Sequence, residues 1–311
     1  MNEELCELYA DFLRSMHAKF PRELLEILQP PFFLSVDDAP YGYNETVLGK
    51  AAGLSLQPWT MPKAEANPFK LMIVGQETFG WQWSLKGMLE NGYDYPRDAW
   101  KHPTIDTFLK ASPTDNSSHE DAQTMMEATS IFCFSAYQAR NHRSVFWRFT
   151  REAARAFAPR ISLLYNNLVK IIPVHEPYPI VRTWKKISTA ERELIGEAQS
   201  HLIRREIEIT RPDLVIFTTG PHYDSILESS LKIGLENDPR FGDIAERHHA
   251  PRAPEDWRAR ALKSTRIPCG NHVAKGIRVY HPGYMNRHRG IWSACMEYIE
   301  SLAAASGQIK C

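Results

Sequence analysis

Cysteine is scarce in this chain. There are five in 311 residues (Cys6, Cys133, Cys269, Cys295 and Cys311), an odd number with no pair at Cys-x-x-Cys spacing. That disfavours a disulfide scaffold, a zinc ribbon and an iron–sulfur cluster built on locally spaced cysteines. No apolar run approaches the ~18 residues of a membrane-spanning helix. The opening Met1-Asn2-Glu3-Glu4-Leu5 carries neither the basic nor the apolar stretch of a secretory leader. The expectation is a soluble, cytoplasmic protein with no membrane partner. An excess of one charge is missing as well. Lys and Arg total 37, Asp and Glu total 37, and the formal net charge is zero. This excludes a strongly basic, histone-like binder but leaves room for a nucleic-acid enzyme with a local basic face.

What is present is globular composition, 43% apolar and 24% charged, which argues against general disorder. At roughly 150 residues per domain, the length suits two domains or one large α/β domain with insertions. Residues 3–29 carry Leu5, Leu8, Phe12 and Leu13 at helical spacing, with Leu24, Leu25 and Ile27 after Pro21 and a stop at Pro30-Pro31. Residues 31–68 read as loop. Gly49-Lys50 fails as a phosphate loop, because Asn44 stands where the upstream glycine belongs and Ala51 where Ser or Thr should follow. Strand candidates are Leu71–Val74, Ile131–Phe134, Asn167–Ile172, Leu214–Phe217 and Ile277–Tyr280. Helix candidates are 144–157, 188–211 (opened by a capping box of Ser188 and Glu191), 221–233 and 290–305.

Strands alternating with helices predict an α/β fold, a three-layer α/β/α sandwich around a central, mostly parallel four-stranded sheet. An N-terminal helical extension with a loop, 1–68, precedes a domain over 69–311. Two insertions, at about 81–128 and 235–275, interrupt that domain. Sites in such sheets form at the carboxyl ends of strands. Three polar clusters sit there: Gly75-Gln76-Glu77-Thr78-Phe79-Gly80, Asn167, and His281 through Gly290. An acid, an amide and a histidine at one sheet mouth suit acid/base and hydrogen-bonding chemistry.

At these residues the chain resembles the uracil-DNA glycosylase superfamily. Gly75 and Gln76 match the first two positions of the housekeeping branch's Gly-Gln-Asp-Pro-Tyr-His, with Glu77, Thr78, Phe79 and Gly80 replacing the rest. His281, Pro282, Arg289 and Gly290 match its His-Pro-Ser-Pro-Leu-Ser-Ala-Tyr-Arg-Gly in register. Asn167 to Pro173 resembles the iron–sulfur branch's Asn-Ala-Val-Lys-Cys-Arg-Pro, and Ser188 to Glu191, Arg211-Pro212 and the strand ending at Gly220 follow that branch's order. The resemblance covers roughly 69–80 and 130–305. Ile171 stands where that branch has a cluster-ligating cysteine, so no cofactor is expected.

The resemblance implies roles. Glu77 would activate water and offset the cationic sugar, and His281 would donate to the departing base. Asn167 would read the base edge, assisted by the backbone near Gln76. Phe79 would line the pocket where the family's Tyr crowds the pyrimidine C5 position, and Phe134 would stack on the flipped base. Met285 replaces a Leu that wedges into the duplex. Tyr284, Asn286, Arg287, Arg289 and Arg143 would contact DNA, the partner. Each residue also has a plainer reading: Glu77 as a helix-start carboxylate, His281 as a turn histidine, Asn167 as a strand cap, Phe134, Phe79 and Met285 as core. Six arginines lie between Arg140 and Arg160 against the single acid Glu152, and a solvated helix face explains them as well as phosphate contacts do.

His248-His249 with Cys269 and His272 lacks a fixed metal-site spacing, so no metal is expected. Trp81, Trp83 and Trp100 suit local packing or contact with unpaired bases. No lysine stands in the motifs as an amine nucleophile, which implies a monofunctional DNA glycosylase; a monomer is expected. The departures at Glu77, Gly80, Gly283 and Tyr284 point away from uracil itself toward a damaged or modified pyrimidine, one use being attack on invading phage DNA. The alternatives are a catalytically inactive DNA- or partner-binding module on the same fold, and a hydrolase of small N-glycosides.

Overall fold

The structure is a computed structural model. It describes residues 1–28, 33, 34, 36, 68–77, 119–123, 125, 126, 144–158, 161–175, 180, 181, 184 and 187–306. The chain divides into two compact units that interleave along the sequence. The first comprises Met1–Ser35, Gln76–Ile131 and Asn166–Ile209; the second Val36–Gly75, Phe132–Tyr165 and Thr210–Cys311.

In the first unit, α1 (Asn2–Lys19) and α2 (Arg22–Ile27) are separated at Phe20-Pro21, where proline cannot continue the helix. The helical spacing seen in the sequence becomes one buried face of α1, including Leu5, Tyr9, Phe12, Leu13 and Met16. Tyr9 stacks on Phe33 at 4.1 Å between ring centroids. The expected helix over 188–211 is two helices, α4 (Thr189–Gln199) and α5 (Leu202–Thr210). At the break, the Ser200 hydroxyl donates to Glu197 O at 3.1 Å, a local bond of the kind that competes with helix propagation. The capping box is present, with Ser188 accepting from Glu191 N and the Glu191 carboxylate accepting from Ser188 N at 2.8 Å.

The second unit holds most of a five-stranded sheet in the order β2-β1-β5-β7-β6. These strands are β1 (Phe69–Glu77), β2 (Ile161–Val169), β5 (Leu214–Phe217), β6 (Leu262–Cys269) and β7 (His272–Val279). The short β3 (Val174–His175) and β4 (Ile180–Val181) pair separately. Strands β1, β5 and β7 run parallel, with Leu71 opposite Leu214 and Ile216 opposite Ile277, while β6 runs antiparallel to β7. The α/β class stands, but the sheet is mixed and five-stranded rather than four-stranded. The extra strand comes from the expected second insertion, which also contains α7 (Pro239–Glu246) and α8 (Trp257–Ala261). Cys269 pairs with His272 across Gly270-Asn271, and Gly270 takes φ +65°, so a tight hairpin turn joins β6 to β7.

The expected strand at 167–172 lies earlier, as β2 over Ile161–Val169. Ile171 and Ile172 are buried outside any strand, so apolarity misplaced the strand there. The remaining helices are α3 (Val145–Ala156), α6 (Asp224–Leu231), α9 (Pro282–Arg287) and α10 (Arg289–Ala305). Helix α3 packs on α10 through Phe149 against Trp292, 5.5 Å edge to face, and Trp292 Nε1 donates to Glu152 at 2.8 Å. Among the described residues no helix is long and apolar enough to cross a membrane.

Candidate functional site

Because β1, β5 and β7 are parallel, Val74-Gly75 of β1 and the carboxyl ends of β5 and β7 share one sheet edge in the second unit. Backbone bonds stitch this edge. Thr218 donates to Val74 O through both its N–H (2.8 Å) and its hydroxyl (2.9 Å), tying the end of β5 to that of β1. Gly220 N donates to Val279 O at 2.9 Å, tying β5 to β7. Gly220 sits at φ +72°, and a side chain there would lie 3.6 Å from His281 N, so glycine lets the chain turn beside the histidine.

His281 caps α9, and its Nδ1 accepts from Gly283 N at 3.1 Å. An accepting Nδ1 assigns the ring proton to Nε2. Burial, with the Arg287 charge as a smaller cause, holds its pKa below the ordinary 6.5, so the ring is neutral at pH 7. Phe146, at the start of α3, stacks on it at 6.4 Å and 30°. Phe146 also meets Tyr165 and Trp147 edge to face, at 5.4 and 5.2 Å. These three rings are half-buried and form an aromatic wall beside the histidine.

The turn after His281 is ordered by its own side chains. Tyr284 lies between Tyr280 and His288, 4.5 Å from each, with the Arg287 guanidinium 5.9 Å from its ring. Asn286 accepts from Arg148 of α3. Arg287 and Arg289 are exposed. Met285 is fully buried, which corrects the expectation of a projecting wedge: its place on the inner face of α9 packs it into the core. Gly290 has a steric reason to be glycine, since a Cβ there would lie 2.0 Å from His249 O.

In the first unit, Gln76 is half-buried and Glu77 is the last residue of β1, its side chain lying outside the described residues. Phe79, Phe134 and Arg143 also lie outside them, as do Trp81, Trp83, Trp100 and the strand expected at 131–134. Asn167 is 2% exposed near the end of β2. Its N–H donates to the side chain of Asn166 at 2.8 Å. Asn166 belongs to a buried polar network. Its amide donates to Glu206 at 2.8 Å, Lys170 pairs with Glu206 at 2.8 Å, and Tyr9 donates to Glu206. Lys170 and Glu206 are both wholly buried. A lysine enclosed in this way is no accessible nucleophile.

The residues considered for a metal are engaged separately. His248 binds Glu297 at 2.7 Å, His272 meets Pro212 O at 2.8 Å, and Cys269 donates to Ile267 O at 3.3 Å. Among the described residues no three His, Cys, Asp or Glu side chains converge as metal ligands would.

Sequence reasoning missed the aromatic wall and the buried network. Phe146-Trp147, starting two residues past Ser144, was a signal for the first. A lysine inside the apolar run from Leu168 to Ile172 was a signal for the second. Compared with known proteins, the chain matches no family model and no curated sequence.

Proposed function

We propose that this protein is a monofunctional DNA glycosylase that excises a modified or damaged pyrimidine. The observation that carries the reading is His281: a neutral imidazole with its proton assigned to Nε2, held at a strand-end edge beside an aromatic wall. Breaking an N-glycosidic bond sends the bonding electrons to the base and leaves cationic character on the sugar. A neutral N–H donor at the base oxygen stabilises that departing charge without a prior proton transfer. Glu77 is the proposed carboxylate that offsets the cation and orients the water adding to the sugar carbon. Asn167 is the proposed reader of the base edge. Gln76, Phe79 and Phe134 are the further residues proposed to bind the base.

The exposed Arg287 and Arg289, with Tyr284 and Asn286 in the same turn and Arg143 from the sequence, are the proposed phosphate-side contacts. Phe146 and Trp147 offer π faces to unstacked bases. The chemistry requires no cofactor, and a monomer suffices for it. The proposed architecture is the three-layer sandwich of the glycosylase superfamily, with the proposed site at its strand-end edge. Modified bases of invading DNA are the proposed substrate class, because Glu77 and Gly80 depart from the family's Asp and His at those motif positions.

The test is base release from oligonucleotides holding uracil, hypoxanthine, thymine or C5-modified cytosines, single- and double-stranded, with Glu77→Ala and His281→Ala beside wild type. Free base and an alkali-labile abasic site, lost in the Glu77 variant, support the reading. DNA binding without release from any substrate overturns it in favour of a binding module. Release from free nucleosides that is insensitive to salt favours a small-molecule hydrolase.

A further inference from the structure

We propose that Tyr9, Asn166, Lys170 and Glu206 are positioning residues for Asn167, so that helix α1 takes part in reading the base; the proposal rests on the glycosylase reading. All of these residues lie in the first unit.

The bonds form a continuous path between α1 and the strand end, converging on Glu206. The Tyr9 hydroxyl accepts from Leu34 N at 2.9 Å and donates to Glu206 Oε1. Glu206 Oε2 accepts from Lys170 Nζ and from the Asn166 amide, each at 2.8 Å. Asn166 Oδ1 accepts from Lys170 Nζ and from the backbone N–H of Asn167, the latter at 2.8 Å. Lys170 N donates to Gln199 Oε1 at 2.7 Å, anchoring the residue just past β2 to α4. Both carboxylate oxygens and the amide oxygen are therefore used.

Such a cluster is a poor choice if stability were its only role. A buried ion pair repays its desolvation badly, and apolar residues of similar volume often do as well. What a fully satisfied polar network adds is one defined geometry. Here that geometry ends on the N–H of the residue proposed to read the base. Alternation along β2 turns Asn166 and Asn167 to opposite faces, so the network grips the strand from behind while leaving the Asn167 side chain to the other face. The N-terminal helices, which the family resemblance does not cover, thereby gain a role.

The experiment uses the full chain with Tyr9→Phe, Asn167→Ala and the double variant. Tyr9→Phe keeps the ring stacked on Phe33 and removes only the hydroxyl. The first readout is backbone hydrogen exchange over 161–172. Tyr9→Phe is expected to raise it about tenfold while the exchange of β5 and β7 is unchanged. The second is the ratio of release rates for the preferred and next-best base. Tyr9→Phe is expected to lower that ratio about tenfold in the wild-type background and to leave it unchanged in the Asn167→Ala background, as a network acting through Asn167 requires.

Unchanged exchange over 161–172 overturns the proposal. So does an equal loss of discrimination in both backgrounds, which marks Tyr9 as a stabilising residue only. If wild type releases no base, the glycosylase reading falls, and the exchange arm alone decides whether the network holds this strand end.

Discussion

At the scale of single residues, the chemistry of the second unit turns on the protonation of His281. Its pKa is held below 6.5 by burial first and Arg287 second. Between the two values the unfolded chain binds a proton that the folded one does not, so stability falls as pH drops below about 6.5. Wild type is therefore expected to lose more stability between pH 7 and pH 5 than His281→Gln, measured by urea unfolding at each pH. An NMR titration of the ring is expected to show a midpoint below 6.5. The buried pair of Lys170 and Glu206 permits a second prediction. Glu206→Ala strands a buried ammonium and is expected to cost about 3–5 kcal/mol, whereas the double change Lys170→Met with Glu206→Leu recovers most of it. Chemical denaturation of wild type and the two variants checks both halves. Neither environment was legible in the sequence, because a side chain's burial and partners depend on segments far away in the chain. Tyr9 and Glu206 are 197 residues apart.

At the scale of elements, helix starts were the most legible feature, because their signals are local. Ser144 and Ser188 cap α3 and α4 where the sequence places them. Ser188→Ala is expected to cost about 1 kcal/mol and to lower the melting temperature accordingly, since it removes the acceptor for Glu191 N. Strand limits were less legible. Asn167 looks like a strand start, yet it and Asn166 lie within β2 near its end, where the Asn166 side chain bonds Glu206 and the N–H of Asn167. Strand β6 was missed for a different reason. Its residues alternate between inner and outer faces only weakly, and the turn signal Gly270-Asn271 stood in a stretch read as an insertion. Gly290, in the first turn of α10, lies under the backbone of His249, so Gly290→Ala is expected to cost about 1–3 kcal/mol by overpacking and to disturb the adjacent Arg289.

At the scale of the whole molecule, zero net charge and a local basic surface coexist. On α3, Arg148 and Arg151 are half-buried and Arg155 is exposed, and burial followed by the charge of Arg155 lowers the pKa of Arg151. Arg287 and Arg289 lie exposed beside the His281 turn. If these two neutralise phosphates, Arg287→Ala with Arg289→Ala is expected to weaken DNA binding alike for all sequences. The slope of log K against log salt would then fall by about two. Fluorescence anisotropy at a series of salt concentrations measures it, and an unchanged slope removes both residues from the interface.

The sequence by itself determined the α/β class, the helix caps, the apolar strands β1 and β5, and the polar cluster that follows β7. Each of these is written in neighbouring residues, as a period, a cap or a run. Only the tertiary structure decided that the sheet has five strands with β6 antiparallel, that Met285 is core and that Phe146 stacks on His281. It also decided that Tyr9 reaches Glu206. Those outcomes depend on which distant segments compete for the same space and the same hydrogen bonds, and no local pattern of residues encodes that competition.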